Sequence, residues 1–258
     1  MLALIAGTGD LPPALVARLP NRPLVCAMRG FEPSLTPDIT FRMEHLGSFL
    51  ADLKTRGVTQ ICMAGAVRRP QIDPSQIDAA TMPLVPKVQA ALTQGDDGAL
   101  RIIITILEEH GFKVMAAHDV ARDLLPRSGV LTKTGPASDH TVDAFTGEAC
   151  VAQMGLADTG QACVIRSAEV MLREDANGTD AMLARATRKG GILFKAPKPN
   201  QDWRADLPLI GPATAKAADG LDGIVIEFGG VMVLDLPAVR RILDAQGMFL
   251  WVRPRGGA

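Results

Sequence analysis

The chain has no strong charge of either sign. Its 27 Lys and Arg stand against 28 Asp and Glu in 258 residues, a formal net charge of -1, with a pI near 6.4. Binding to a phosphate backbone needs an excess of clustered Lys and Arg, so this balance argues against a general nucleic-acid binder, and any polyanion must be met locally. Long apolar runs are also missing, and none approaches the length that spans a bilayer. The opening LALIA reaches GTGD with no basic leader before it, from which a cytoplasmic protein is expected. Cysteine is sparse: Cys26, Cys62, Cys150 and Cys163 show no C-x-x-C spacing, and the first two lie in apolar runs. They read as reduced packing residues. The four histidines, His45, His110, His118 and His140, are scattered without an H-E-x-x-H pattern, which disfavours a zinc enzyme.

What is present is a hydrophobic content of 47%, enough over this length for a large core and two domains. From Met1 to about Leu125 short apolar runs alternate with amphipathic stretches, as a parallel sheet covered by helices requires. LALIA, PLVCA, QICMAGA and FKVMAA are the expected strands, with helices over 11–18, 46–56, 98–110 and 118–124. Arg68 to Pro86 carries four prolines and reads as an excursion or lid. The turn-rich PRSGVLTKTGPAS at 126–138 places the boundary between a Rossmann-like α/β domain, 1–130, and a mixed α/β domain, 136–258. In the second domain a helix is expected over 139–154, then a hairpin ACVIRSAEVMLRE broken at Ser167 and a helix from Gly178 through Arg188. A strand GILFKA, a strand pair GIVIEFGGVMVLD, a helix LPAVRRILDAQG and a last strand FLWV follow. The apolar Met248 to Val252 offers an edge for a homodimer.

The densest chemistry lies in Lys195 to Gly211, KAPKPNQDWRADLPLIG. Pro197, Pro199 and Pro208 put Asp202, Arg204 and Asp206 on a shaped loop. Carboxylates mixed with Lys and Arg can hold a hard divalent ion and neutralise phosphate oxygens, the minimum equipment for cleaving a phosphoanhydride. The same composition equally fits a surface salt-bridge network. Asp202 and Asp206 are candidate Mg²⁺ ligands, or one orients an attacking water, while Lys195, Lys198, Gln201 and Arg204 meet the diphosphate. Asp222, Glu227 and Asp235 are reserve carboxylates.

Three further motifs stand at element ends. A-G-T-G-D-L-P follows a strand, so Gly7, Thr8, Gly9 and Asp10 are placed to offer backbone N–H groups to an anion. Pro12 sits where a dinucleotide fingerprint needs its third glycine, which weakens an NAD reading, and a tight turn explains the glycines as well. Arg68 and Arg69 leave another strand end and match phosphate oxygens, unless they form a solvated corner. Asp96 or Asp97 reads first as an N-cap; so does Thr179 or Asp180, with a phosphate contact from Thr179 and a metal contact from Asp180 as the functional alternative.

Taken together, A-G-T-G-D-L-P, G-A-V-R-R-P, G-D-D, G-T-D-A-M-L and K-P-N-Q-D-W-R-A-D-L-P-L-I-G run through nearly the whole chain. In that order they resemble the LpxI-type UDP-2,3-diacylglucosamine pyrophosphatases of lipid A biosynthesis. Asn177 departs from the pattern, where the family favours Glu. The resemblance implies a two-domain cytoplasmic enzyme at the inner membrane face that uses Mg²⁺ (or Mn²⁺) and water to split UDP-2,3-diacylglucosamine into UMP and 2,3-diacylglucosamine 1-phosphate. By the motif match Asp206 is the first catalytic candidate, with Asp202, Gln201, Lys198 and Arg204 beside it. An interdomain cleft that closes on the lipid is the expected site, its acyl-chain walls sought among Met82, Leu84, Val85, Leu207, Leu209 and Ile210. A nucleotide-sugar transferase or oxidoreductase, and a non-catalytic carrier of lipid phosphates or nucleotide sugars, are the alternatives.

Overall fold

The computed structural model describes residues 1–187, 189–199, 201–204 and 206–256. The chain divides into two compact units. One comprises Met1–Arg122 with Asp202–Asp206, the other Asp123–Gln201 with Leu207–Ala258.

The first unit is built on β1 (Leu2–Ala6), β2 (Leu24–Met28), β3 (Ile39–Phe41), β4 (Gln60–Ala64) and β5 (Lys113–Met115), ordered β3-β2-β1-β4-β5 with every neighbouring pair parallel. The central runs LALIA and QICMA are apolar without alternation because a parallel strand is covered on both faces. Helices α1 (Leu11–Val16), α2 (Leu46–Thr55), α3 (Val85–Thr93), α4 (Asp96–Glu109) and α5 (Ala117–Val120) complete the unit. Strand order reverses between β1 and β4, the switch point where ligands of open α/β sheets bind. There the two strand ends are tied backbone to backbone: Gly7 N–H donates to Ala64 O, and Thr8 and Ala66 exchange N–H···O bonds. Both glycines are required. A Cβ on Gly7 would lie 2.4 Å from Ala66 O, and Gly65 has φ +87° with Thr8 O 2.7 Å from where its Cβ would stand.

Arg68 to Pro86 is less of a lid than its prolines suggest. The Glu44 carboxylate, buried on the turn before α2, accepts from Asp73 N–H (3.0 Å) and pairs with Arg42 (2.8 Å). Thr81 Oγ1 accepts from Gly47 N–H at 2.8 Å. The excursion is thus pinned at Asp73 to the turn before α2 and at Thr81 to the first turn of α2, and its last prolines open helices: Pro86 occupies the first turn of α3, where a missing N–H goes unneeded.

In the second unit β6 (Gly129–Val130), β7 (Ala162–Arg166), β8 (Glu169–Arg173), β9 (Ile192–Lys195), β11 (Gly223–Glu227) and β13 (Phe249–Arg253) form a mixed sheet ordered β6-β13-β11-β9-β7-β8. β9, β11 and β13 are parallel, while β7, β8 and β6 join antiparallel. α6 (Ser138–Leu156) covers one face through Ala144, Cys150, Val151 and Met154. α7 (Gly178–Leu183), α8 (Pro212–Ala217) and α9 (Leu236–Gln246) lie among the residues that pack against the other core cluster. The β7–β8 hairpin turns through Ser167 and Ala168, both at positive φ, with Ala168 N–H held by the buried Asp143 carboxylate at 2.6 Å.

Two expected pairings are corrected. β12 (Met232–Val233) does not pair with β11; it runs parallel to β10 (Leu209–Ile210) in a separate two-stranded sheet, because the intervening FGG carries the chain off the main sheet. Met248 to Val252 is no free edge either, since β13 is hydrogen-bonded on both sides, by β11 and β6. α7 ends at Leu183 rather than running to Arg188, which lies outside the described residues. All four cysteines are buried and unpaired.

Candidate functional site

A cavity of about 450 Å³ opens at the carboxyl edge of the first unit's sheet. Its interior is apolar: Ile5, Met28, Phe41 and Met63 from the strands, Phe49 from α2, and Val88, Leu100, Ile103 and Leu107 from α3 and α4. Its charged lining consists of Arg68, Arg69, Asp96 and Asp206, all exposed and hence at the mouth. This division, a greasy interior under a polar rim, suits a ligand with a long apolar part and a charged head. None of Met82, Leu84, Val85, Leu207, Leu209 and Ile210 lines it. Leu84, Leu207 and Ile210 are core and Met82 projects outward.

The segment Asp202–Asp206 belongs to this unit although its chain neighbours belong to the other. α4 explains why. Asp202 N–H donates to Asp97 Oδ1 (3.3 Å), and Arg204 Nη1 pairs with Glu108 (2.6 Å). Trp203 stands edge-on to His118, ring centroids 6.1 Å apart. Asp97 also pairs with Arg101 one turn on, so it serves the clasp and not the helix start, where Gly95 is the N-cap.

Within the segment, Asp202 and Arg204 engage each other. Asp202 accepts from Arg204 Nε (2.9 Å), Nη2 (2.7 Å) and backbone N–H (3.1 Å). That fork holds the Asp202 carboxyl below the usual carboxylate range, and Asp202 in turn raises Arg204. Asp202 is therefore an acceptor already satisfied and does not line the cavity, whereas Asp206 and Asp96 do. The two adjacent arginines also differ. Arg69 donates to the carbonyls of Leu92 (2.9 Å) and Gln94 (2.6 Å), closing the end of α3. Arg68 shows no such bond among the described residues and stands exposed at the mouth.

At the A-G-T-G-D loop the N–H groups of Gly7 and Thr8 are spent on β4 and its following loop, and Thr8 Oγ1 donates to Ala66 O at 3.2 Å. Gly9, at φ +100° with open space around it, and Asp10, which makes no side-chain cap, remain on the solvent side.

In the second unit Lys195 ends β9, almost fully buried. Its Nζ donates to Thr179 Oγ1 (2.7 Å), which donates to Glu174 Oε1 (2.5 Å), while Glu174 Oε2 accepts from Gln161 N–H (2.7 Å). Thr179 thus serves this chain rather than capping α7, whose N-cap is Asn177; Asp180 lies exposed in the first turn. Lys198 pairs with Asp158 (2.6 Å), and Gln201 Oε1 accepts from Lys198 N–H (3.0 Å) across the proline turn. Among the reserve carboxylates Asp235 caps α9 and Asp222 accepts from Gly191 N–H (2.6 Å). Burial pushes the Glu227 carboxyl up, against the opposing pull of Arg255. Glu174 went unread in the sequence because R-E-D-A-N looks like a solvated turn; only its position after an edge strand hinted otherwise.

No three His, Cys, Asp or Glu side chains among the described residues stand together as a metal site. Asp202 and Asp206 lie in one unit and Asp180 in the other. Mg²⁺ keeps several waters and commonly needs only one or two carboxylates plus substrate phosphates, so the exposed Asp206 fits that manner of binding and the saturated Asp202 does not.

Comparison with known proteins gives concordant matches to both halves. The family model described as the LpxI N-terminal domain matches residues 1–124, and the LpxI C-terminal domain matches 127–251. A protein of Caulobacter vibrioides named UDP-2,3-diacylglucosamine pyrophosphatase LpxI is 35% identical over 268 residues, spanning 96% of each chain.

Proposed function

The chain belongs to the LpxI family, and from that premise we propose that it hydrolyses the diphosphate of UDP-2,3-diacylglucosamine to UMP and 2,3-diacylglucosamine 1-phosphate in lipid A biosynthesis. The observation that carries this reading is the apolar cavity with Asp206 and Arg68 at its mouth. Acyl chains enter the cavity, displacing water from Phe41, Phe49, Ile103 and Leu107, and leave the diphosphate at the charged rim. Arg68 donates to phosphate oxygens there, and the clasp of Asp202–Arg204 on α4 fixes the backbone that carries Asp206.

Asp206 meets the reacting phosphate and takes the proton of the attacking water, or is the carboxylate that would hold Mg²⁺ there. When bound, Mg²⁺ (or Mn²⁺) would neutralise the diphosphate and make water a better nucleophile. No helix among the described residues is long and apolar enough to cross a membrane. The substrate is instead drawn from a leaflet by transient contact at the inner membrane face, with Val67 and Leu92, both lining the cavity and both exposed, as the side chains that meet the lipid.

The test is UMP release from UDP-2,3-diacylglucosamine, with Mg²⁺ and with chelator, by wild-type protein and Asp206→Ala. Metal-dependent release that disappears in a folded variant is expected. No release with any divalent metal refutes the hydrolase and leaves a lipid-phosphate carrier, which binds by the same cavity without turnover.

A further inference from the structure

Two of the four cysteines lie together in the second unit, and the proposed hydrolysis uses neither. Cys150 on α6 and Cys163 on β7 are buried in one packed cluster. Cys163 Sγ lies 3.8 Å from Gly147 O, one helical turn before Cys150, and Cys150 Sγ lies 3.7 Å from Met154 Sδ, one turn after it. Gly147 lets helix and sheet come this close: a Cβ there would lie 2.5 Å from Phe194 Cγ, and Phe194 is the partner of Cys163 on β9. The two thiols thus meet across the contact of α6 with β7 and hydrogen-bond each other. Arg173 on β8 stands opposite Cys163 in register, which puts both side chains on one face of the sheet, and its exposed guanidinium reaches Cys150.

We propose that Cys150 and Cys163 are an oxidation site that takes a hydroperoxide and closes to a disulfide joining α6 to β7. The Cys163 thiol, as donor, and the Arg173 cation hold the Cys150 thiol below its ordinary range, and the same thiol–thiol bond together with burial pushes Cys163 up. That division suits an attacking and a resolving thiol. Cys26 on β2 and Cys62 on β4 have β1 between them, and burial pushes each up to about 12, the state of a cysteine kept for packing. Cys150 is also the member of the pair nearer solvent, 4% exposed against 0% for Cys163. With hydrogen peroxide the Cys150 thiolate attacks one oxygen, the O–O bond breaks, and hydroxide leaves with the proton that the thiol released, as water. Cys150 is then a sulfenic acid. The Cys163 sulfur attacks the Cys150 sulfur, the S–O bond breaks, and the hydroxyl leaves with the Cys163 proton as a second water. Both thiols are oxidised, and the peroxide takes up their two electrons.

The experiment exposes the folded full chain to hydrogen peroxide, then counts thiols after denaturation and maps peptides without reduction. Wild-type protein should lose two of its four thiols, the map should join the Cys150 and Cys163 peptides, and dithiothreitol should restore both. Cys163→Ala should stop at a sulfenic acid on Cys150, which dimedone traps, and Cys150→Ala should keep its remaining thiols over the same time. The wild-type measurement needs no variant, so it decides the matter even where a substitution in this cluster prevents folding. Four thiols that survive peroxide in folded wild-type protein overturn the proposal. A disulfide that maps to Cys26 or Cys62, or that joins two chains, overturns it equally.

Discussion

Filling the cavity from α4 should shorten the acyl chains that the protein accepts. Ala99 lines the cavity and is half-buried, so Ala99→Phe projects a ring into space that already exists. A void of about 150 Å³ accommodates a benzene ring, so a phenyl side chain takes roughly a third of the 450 Å³. If it displaces three methylenes of substrate, at about 0.8 kcal/mol each, the loss is about 2.4 kcal/mol, or roughly 60-fold in kcat/KM. The assay is UMP release from UDP-2,3-diacylglucosamine with full-length chains and from an analogue with chains too short to reach Ala99. The long-chain substrate should fall by that factor and the short-chain one change little. Helix propensity takes only about 0.5 kcal/mol from stability, so the variant should melt near wild type. An unchanged ratio between the two substrates, in a folded variant, would show that the acyl chains lie elsewhere.

Mn²⁺ binding followed by electron paramagnetic resonance in the presence of pyrophosphate should weaken in Asp206→Asn and hardly change in Asp202→Asn, whose carboxylate is already engaged by Arg204; equal loss in both would return Asp202 to the metal. The Arg42 guanidinium holds Glu44 at about 2, below its ordinary 4.5. A depressed carboxylate stabilises the fold above its unfolded pKa, so thermal stability should fall as pH drops from about 4.5 to 2, by on the order of 2 kcal/mol given the partial exposure of Arg42, and Glu44→Gln should lack that component. Gly7→Ala should destabilise by about 1–3 kcal/mol in denaturant melts, because its Cβ would lie 2.4 Å from Ala66 O and the two strand ends must part. A neutral result there would mean the β1–β4 junction is softer than its hydrogen bonds indicate.

The alternation of apolar runs with amphipathic stretches made the first sheet readable, since parallel strands buried on both faces announce themselves. β3 escaped because three residues, Ile39 to Phe41, are too short for any period to register. α3 escaped for a different reason: Pro86 looks like a breaker until its place in the first turn is known. The loop with Asp202, Arg204 and Asp206 was legible as a cluster of charges but not as a division of labour. Sequence gives no sign that Arg204 turns to Asp202 and Glu108 while Asp206 faces the cavity, since both outcomes satisfy the same composition. Likewise Arg68 and Arg69 are neighbours of identical chemistry, and only the carbonyls that end α3 separate them. Glu174 and the walls of the cavity depend on contacts between residues far apart in the chain, which local pattern does not encode.

The return of Asp202–Asp206 to the first unit also bears on how a ribosome delivers this protein. Arg122 ends the continuous part of that unit, and at about 5–20 residues per second the last piece follows roughly 4–17 seconds later. Until then Glu108 on α4 waits for Arg204, Asp97 has only Arg101, and the cavity mouth has Asp96 without Asp206. The N-terminal sheet can form early in synthesis, but it acquires Asp206 only after most of the second sheet has left the tunnel.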